Sequence, residues 1–193
     1  MPTDRSPTQD RILDAAEAVF ASKGYRGGAL NDVALAAGYT RAGLLHHFPS
    51  KEALLLAILE RRDERLHALE SIAPDESIGD VLSAVPRAFE RYPELRMFIQ
   101  LGHIVSAEAS SPDHPAHDWS VARERQLRED LAKAVDRAKE RGELAADIDS
   151  QALAALVLGA FEGLEAQWLL DDQVDIASGM QILQRLLGSA ARV

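Results

Sequence analysis

A chain of 193 residues without a cysteine is long enough to bury a core, and it excludes structural disulfides and thiolate metal sites. Its net charge of -10 argues against binding nucleic acid through overall charge, yet residues 1–52 carry six basic and six acidic side chains, so the whole excess lies further on. No continuous apolar run reaches the roughly 18 residues of a membrane span, and the N-terminus has no apolar signal core; the expectation is a cytoplasmic protein.

Residues 1–7, polar with two prolines, predict a disordered arm. Thr8 is the expected N-cap of a helix over 9–23, with Ile12, Ala16, Val19 and Phe20 on its buried face and Gly24 at its end. Gly27 and Gly28 turn the chain. Leu30, Val33, Ala34 and Ala37 then recur at helical spacing, and Gly38 follows where a C-cap favours positive φ. Thr40 suits the N-cap of a short helix over 41–48, with Leu44 and Phe48 inward and Pro49 as its stop. Ser50 caps a long helix to about residue 72, striped by Leu54, Leu55, Ile58, Leu59, Leu66 and Leu69. The charged run 61–65 in its middle reads as a solvated connector. Further helices are predicted over 77–91, 93–106 with Pro93 in the first turn, 117–141, 150–170 and 175–187. Residues 109–116 are a loop by composition, and no segment sustains period-two alternation. The fold class is therefore all-α, with a first domain over 1–52 and a second over 53–193.

Two short helices about a glycine-containing turn form a helix-turn-helix, whose second helix fits the DNA major groove. Thr40, Arg41, Gly43 and His46 face outward on that helix. Arginine can donate twice to a guanine edge, and a threonine at a helix start can bond a phosphate. Gly43 costs about 1 kcal/mol against alanine and lets the backbone approach DNA closely. On residue chemistry alone, an ordinary surface helix with one basic residue fits as well.

The segment resembles the N-terminal domain of the TetR family of bacterial repressors. The resemblance is carried by Arg11-Ile12-Leu13-Asp14-Ala15-Ala16, Phe20, Gly24-Tyr25, Asp32-Val33-Ala34, Ala37-Gly38-Tyr39, Leu44 and His47-Phe48-Pro49-Ser50-Lys51-Glu52. It covers about the first third of the chain. It implies an N-terminal three-helix helix-turn-helix domain joined by a long helix to a C-terminal helical ligand-binding and dimerisation domain. Lys51 matches the family's phosphate-contacting lysine, and Asn31 is counted with the DNA-binding set. Leu45 stands where the family most often has a phosphate-touching tyrosine, and Gly28 and Ala29 stand where it often has threonines. Fewer backbone contacts are therefore expected.

The resemblance also implies a cavity among the C-terminal helices, lined by Phe89, Met97, Phe98, Leu101, His103, Trp119, Arg123 and Phe161. Plain core is the alternative for most of these. Leu153, Val157, Ala160, Leu164 and Trp168 form one apolar stripe, and Ile176, Met180, Leu183 and Leu187 another. They predict a four-helix interface with a second copy of the chain, helped by Gly159 and Gly163; packing within one chain is the alternative. His114 and His117 flank Pro115 without a metal-binding spacing and read as a solvated loop. There is no glycine-bracketed serine and no phosphate-binding glycine loop.

The reading is a non-enzymatic, metal-free and cofactor-free regulator: a homodimeric repressor of double-stranded DNA, released from its operator by a small apolar ligand. Two alternatives stay open. One is a DNA-binding protein of this fold without small-molecule control. The other is a helical small-molecule-binding protein that no longer binds DNA.

Overall fold

The computed structural model describes residues 5–70, 73, 75–91 and 95–190, with the side chains of 65–70, 85–91, 95, 189 and 190 left aside. The described elements are helices: α1 (Pro7–Gly27), α2 (Leu30–Ala37), α3 (Arg41–His47), α4 (Lys51–Glu70), α5 (Ile78–Arg91), α6 (Leu95–Ala109), α7 (His117–Glu140), α8 (Ser150–Leu170) and α9 (Ile176–Ala190). The expectations for Leu66, Leu69, Phe89 and Pro93 lie outside what is described. The chain divides into two compact units, Met1–Leu69 with Glu94–Ser120, and Glu70–Pro93 with Val121–Val193.

In the first unit, α1 begins earlier than predicted. Ser6, not Thr8, is the N-cap: its Oγ accepts the Gln9 N–H at 3.3 Å, and the Gln9 side chain accepts the Ser6 N–H at 2.9 Å. Pro7 takes the first helical position, where its missing N–H costs nothing. Ser6 and Pro7, assigned to a disordered arm, are thus the N-cap and the first residue of α1. Gly24, at φ 72, breaks the regular helix as expected, and one more turn follows to Gly27. The buried side chains Ile12, Leu13, Phe20, Val33, Leu44, Leu54, Leu55, Ile58 and Leu59 form one core, joined by Leu101 and Val105 of α6. Each contributes about 1.5–3 kcal/mol relative to exposure.

The charged middle of α4 is not a solvated connector. Arg61 is 3% exposed. It falls one helical turn beyond Ile58 and two beyond Leu54, so the apolar stripe itself carries it inward. Its Nη2 lies 2.7 Å from Oε1 of Glu17, which is 1% exposed, and its Nη1 lies 2.9 Å from Asp14. Arg62 reaches α6, donating from Nε to the Phe98 carbonyl at 3.1 Å across the bare face of Gly102. Gln100 ties α6 to α1 by donating to the Ala21 carbonyl at 3.1 Å.

In the second unit, α5, α7, α8 and α9 enclose a core that includes Ile78, Leu82, Leu131, Val135, Leu153, Val157, Ile176 and Met180. Asp149 caps α8 by accepting the N–H groups of Gln151 and Ala152 at 2.9 and 3.0 Å. Asp175 caps α9 through the Ser178 N–H at 2.9 Å. The stripe expected to face a second copy is largely turned into the chain's own core: Leu153, Val157, Ile176 and Met180 are buried there, with Leu164, Trp168, Leu183 and Leu187 packed against it. Ala160 is exposed. The reason is that α8 is apolar on two faces, and a single stripe read from the sequence does not tell which face the chain itself covers. Ser150–Leu170 contains a window of mean hydropathy 1.4, long and apolar enough by composition to cross a bilayer, but Glu162 and Glu165 interrupt it, so no continuous apolar run reaches span length.

Candidate nucleic-acid interface

The helix-turn-helix is built from local chemistry. Gly38 ends α2 at φ 76 and ψ 30, the left-handed conformation that favours glycine. Thr40 then caps α3 by accepting the Gly43 N–H at 3.1 Å, and Ser50 caps α4 by accepting the Ala53 N–H at 3.0 Å. Arg11 of α1 fixes the turn between them. It donates to the Ala37 carbonyl at 3.3 Å, and its guanidinium sits 5.6 Å from the centre of the Tyr39 ring. The Tyr39 hydroxyl donates to Thr8 at 3.3 Å, so Thr8 serves the turn rather than the helix start.

Leu44 is buried, while Asn31, Thr40, Arg41 and His46 are exposed; Gly43, Leu45 and Lys51 are half-buried. Lys23 and Asp32 pair at 2.7 Å on the same unit, and the hydrogen bond and charge of Lys23 hold the Asp32 carboxyl below the usual range. Lys51 does not stand clear in solvent. Its Nζ lies 4.5 Å from the Tyr25 ring centre and 3.4 Å from the Arg26 carbonyl oxygen, and burial lowers its pKa.

The segment between α6 and α7 is a packed turn, not a solvated loop. His114 is buried and stands edge-on to Tyr25 with ring centres 5.0 Å apart. Its Nδ1 accepts the Ala116 N–H at 3.2 Å, and the neighbouring His117 Nδ1 lies 2.8 Å from the Ala109 carbonyl. Composition marks this segment as a solvated loop; the aromatic contact from α1, far away in sequence, decides otherwise. Among the described residues no three potential ligands cluster as a metal site.

Glu108, at the end of α6, is a functional candidate that sequence reasoning missed. Its carboxylate accepts the Tyr25 N–H at 2.9 Å and the Arg26 N–H at 3.3 Å. Those are the donors left over where α1 breaks at Gly24. Nothing local in the sequence marks the pairing, because its partners lie more than 80 residues apart.

The predicted pocket residues fall in both units. Phe98 and Leu101 are buried in the first unit, where Leu101 belongs to the core around α1; Trp119 packs against that core, Met97 is exposed and His103 is half-buried. Arg123 is half-buried in the second unit, and Phe161 packs on the second unit's core. A recess of about 430 Å³ lies within the second unit, lined by Ile78, Leu82, Leu144 and Leu187 with Gln184 and Arg185 at its polar side. None of the predicted pocket residues lines it.

The exposed apolar side chains of α8 and α9 are Leu156, Leu170, Ile182 and Leu186, at 70%, 90%, 51% and 61% exposure. Gly159 and Gly163 face open space beside them.

The profile of the bacterial regulatory proteins of the tetR family matches residues 12–58. The chain is 27% identical to the HTH-type transcriptional regulator UidR of Escherichia coli over 97% of its own length and 95% of that protein. It is 32% identical to a structure described as the molecular basis for control of antibiotic production by bacterial hormones, with a TM-score of 0.64 and coverage of 96% and 98%. The SmeT–triclosan complex shares the fold at a TM-score of 0.76 and 22% identity, over 96% of this chain and 91% of that one. With the helix-turn-helix of α2 and α3 and these likenesses over nearly the whole length, the chain belongs to the TetR family of transcriptional regulators.

Proposed function

We propose that the protein is a repressor that binds an operator as a homodimer and leaves it when a small apolar ligand binds. The observation that carries the DNA contact is the division of labour in α3: Leu44 and the Thr40 cap hold the helix, while Arg41 and His46 are left exposed. The DNA-binding set is Asn31, Thr40, Arg41, Gly43, Leu45, His46 and Lys51. Arg41 reads a base edge and Lys51 meets a phosphate. With six acidic and six basic side chains over residues 1–52, binding rests on a few aimed contacts.

The second copy covers the outer face of α8 and α9. Leu156, Leu170 and Ile182 leave an exposed apolar face on α8 and α9, and such a face is stabilised by burial against another helix. Gly159 and Gly163 leave room for a helix to approach closely. A two-fold axis sets the recognition helices about 34–36 Å apart, or a multiple of that. Support for a small organic ligand comes from SmeT, which is described in complex with triclosan. The ligand acts only through tighter binding to the DNA-incompetent state; a tenfold loss of operator affinity needs about 1.4 kcal/mol of such preference.

The test is selection of a duplex from a random-sequence pool, followed by gel shifts. Arg41→Ala is expected to lose about 1–3 kcal/mol on the selected duplex and little on unrelated DNA. Lys51→Ala is expected to weaken all duplexes alike and flatten the salt slope. Equal affinity of both variants and the unaltered protein sinks the assignment. A panel of apolar compounds that never displaces the duplex removes the ligand from the reading and leaves the DNA contact standing.

A further inference from the structure

The break in α1 at Gly24 leaves amide donors that the helix no longer satisfies. α6 satisfies them through one side chain. Glu108 accepts both the Tyr25 and the Arg26 N–H, and its Oε1 lies 2.7 Å from where a Gly24 Cβ would stand, so the bare glycine is what lets the carboxylate in. The same short turn supports Lys51: the Tyr25 ring lies under the ammonium, and the Arg26 carbonyl accepts from it. Position of the Glu108 carboxylate and position of the proposed phosphate contact are therefore linked by three residues of backbone.

His114 also faces Glu108. Its Nε2 is 3.7 Å from Glu108 Oε2, beyond hydrogen-bond reach, and is buried without a hydrogen-bond partner. Its Nδ1 accepts the Ala116 N–H, so the neutral ring carries its proton on Nε2. A second proton has to enter at Nδ1, against the Ala116 N–H. That breaks the turn's bond and leaves an imidazolium whose nearest carboxylate is Glu108. Closing from 3.7 Å to charge-assisted contact moves that carboxylate by about 1 Å. The imidazolium then competes with the two amides for one carboxylate, and with the Tyr25 N–H for the same Oε2.

We propose that Glu108 is a positioning residue for DNA recognition and that protonation of His114 draws it off the α1 turn, so that operator affinity falls on acidification. This rests on the DNA-binding reading above. The groups facing His114 are Glu108 from α6, Tyr25 and Arg26 from the end of α1, and Asp113 and His117 from its own turn; Lys51 and Glu52 face Tyr25 from the start of α4. Burial pushes the His114 pKa down, opposed by Glu108 and assisted by Arg26. Because the folded pKa is lowered, the unfolded chain takes up the proton first. The stability contributed by neutral His114 is intact above about pH 6.5 and is lost as pH falls below it.

The test compares the protein with Glu108→Gln and His114→Phe on a duplex selected from a random pool, by fluorescence anisotropy from about pH 7.5 to about pH 5.5. Phenylalanine keeps the edge contact with Tyr25 but takes no proton. Glutamine still accepts an amide but is not drawn by an imidazolium. The unaltered protein is expected to lose about two- to fivefold more affinity than either variant over this range, because the lowered His114 pKa leaves protonation incomplete at its acid end. Any pH dependence arising elsewhere in the protein or the duplex is common to all three and cancels in the ratio. Equal pH profiles overturn the proposal. A second measurement needs no variant and no DNA: hydrogen exchange of the Tyr25 and Arg26 amides followed against the His114 ring titration. Loss of protection along that titration supports the latch, and protection that persists through it overturns it. If no duplex is selected, the DNA-binding reading fails, and the amide experiment still decides the latch.

Discussion

α1 and α8 are both 21 residues long and both bury one face, yet they treat the rest of their surface differently. In α1 the positions off the core carry Asp10, Asp14, Ser22 and Lys23, and the first two turn toward Arg61 of α4. In α8 they carry Leu156, Gly159, Ala160 and Leu170. Exposing a leucine forgoes about 1.5–3 kcal/mol of burial. A chain that spends polar residues freely on α1 and few on the outer face of α8 has one finished helix and one whose outer face stays apolar and exposed.

The finished helix is the place for the largest expected effect. Arg61→Met leaves the Glu17 carboxylate, 1% exposed, against a thioether instead of a guanidinium. Breaking a buried pair from one side costs about 3–5 kcal/mol, and urea denaturation reads it. The double variant Arg61→Met with Glu17→Leu removes both charges and is expected to recover most of that loss. A loss below about 1 kcal/mol for Arg61→Met means that the pair behaves as a surface pair, and the contrast between the two helices weakens.

For the unfinished helix, Leu156→Lys is expected to cost about 2–4 kcal/mol of association and almost nothing within one chain. Leu156 is 70% exposed, so the lysine meets solvent in the separated chain. Sedimentation is then expected to show a folded monomer for the variant and a dimer for the unaltered protein. Unfolding, or a dimer that persists, breaks the comparison. Leu153→Lys is the internal control: Leu153 is 8% exposed and belongs to the core, so that variant unfolds the second unit rather than splitting a dimer.

The helix-turn-helix was legible because its signals are local. Gly38, Thr40, Pro49 and Ser50 each act on the backbone within three or four residues, and each capped or ended the helix it was assigned to. Helix α8 was legible to the residue. What could not be read was anything set by contact across the sequence. Arg61 looks like one charge among five until α1 supplies Glu17, 44 positions earlier. His114 looks like a loop residue until Tyr25 covers it. The choice between a second copy and the chain's own core for the α8 stripe stayed open for a related reason: helical period fixes which side chains share a face, not which face the chain's own core takes.

Gly28 sharpens the picture at the end of α1, where the fold departs from the family's frequent threonine. A Cβ there would stand 2.6 Å from Cδ1 of Phe20, whose ring is fully buried and has nowhere to move. Gly28→Ala is expected to cost about 1–3 kcal/mol through overpacking, measured by thermal unfolding. Gly28→Thr should cost more. A neutral alanine shows that Phe20 repacks and that α1 is less tightly finished than its burial implies.

The smallest effect separates cap from contact at Thr40. Its Oγ1 accepts the Gly43 N–H, which leaves the hydroxyl proton free to be offered to a phosphate. Thr40→Ala removes both and is expected to cost about 1 kcal/mol of stability. Thr40→Ser keeps both and should match the unaltered protein in stability and in affinity. Thr40→Asp divides them: a carboxylate caps a helix as well as a hydroxyl does and suits the positive end of the helix dipole, but it presents a negative charge to the DNA backbone. If Thr40 faces phosphate, the aspartate variant keeps its unfolding temperature and loses more operator affinity than the alanine variant. If Thr40 only caps, the aspartate variant binds at least as well as alanine, because the better-formed helix positions Arg41.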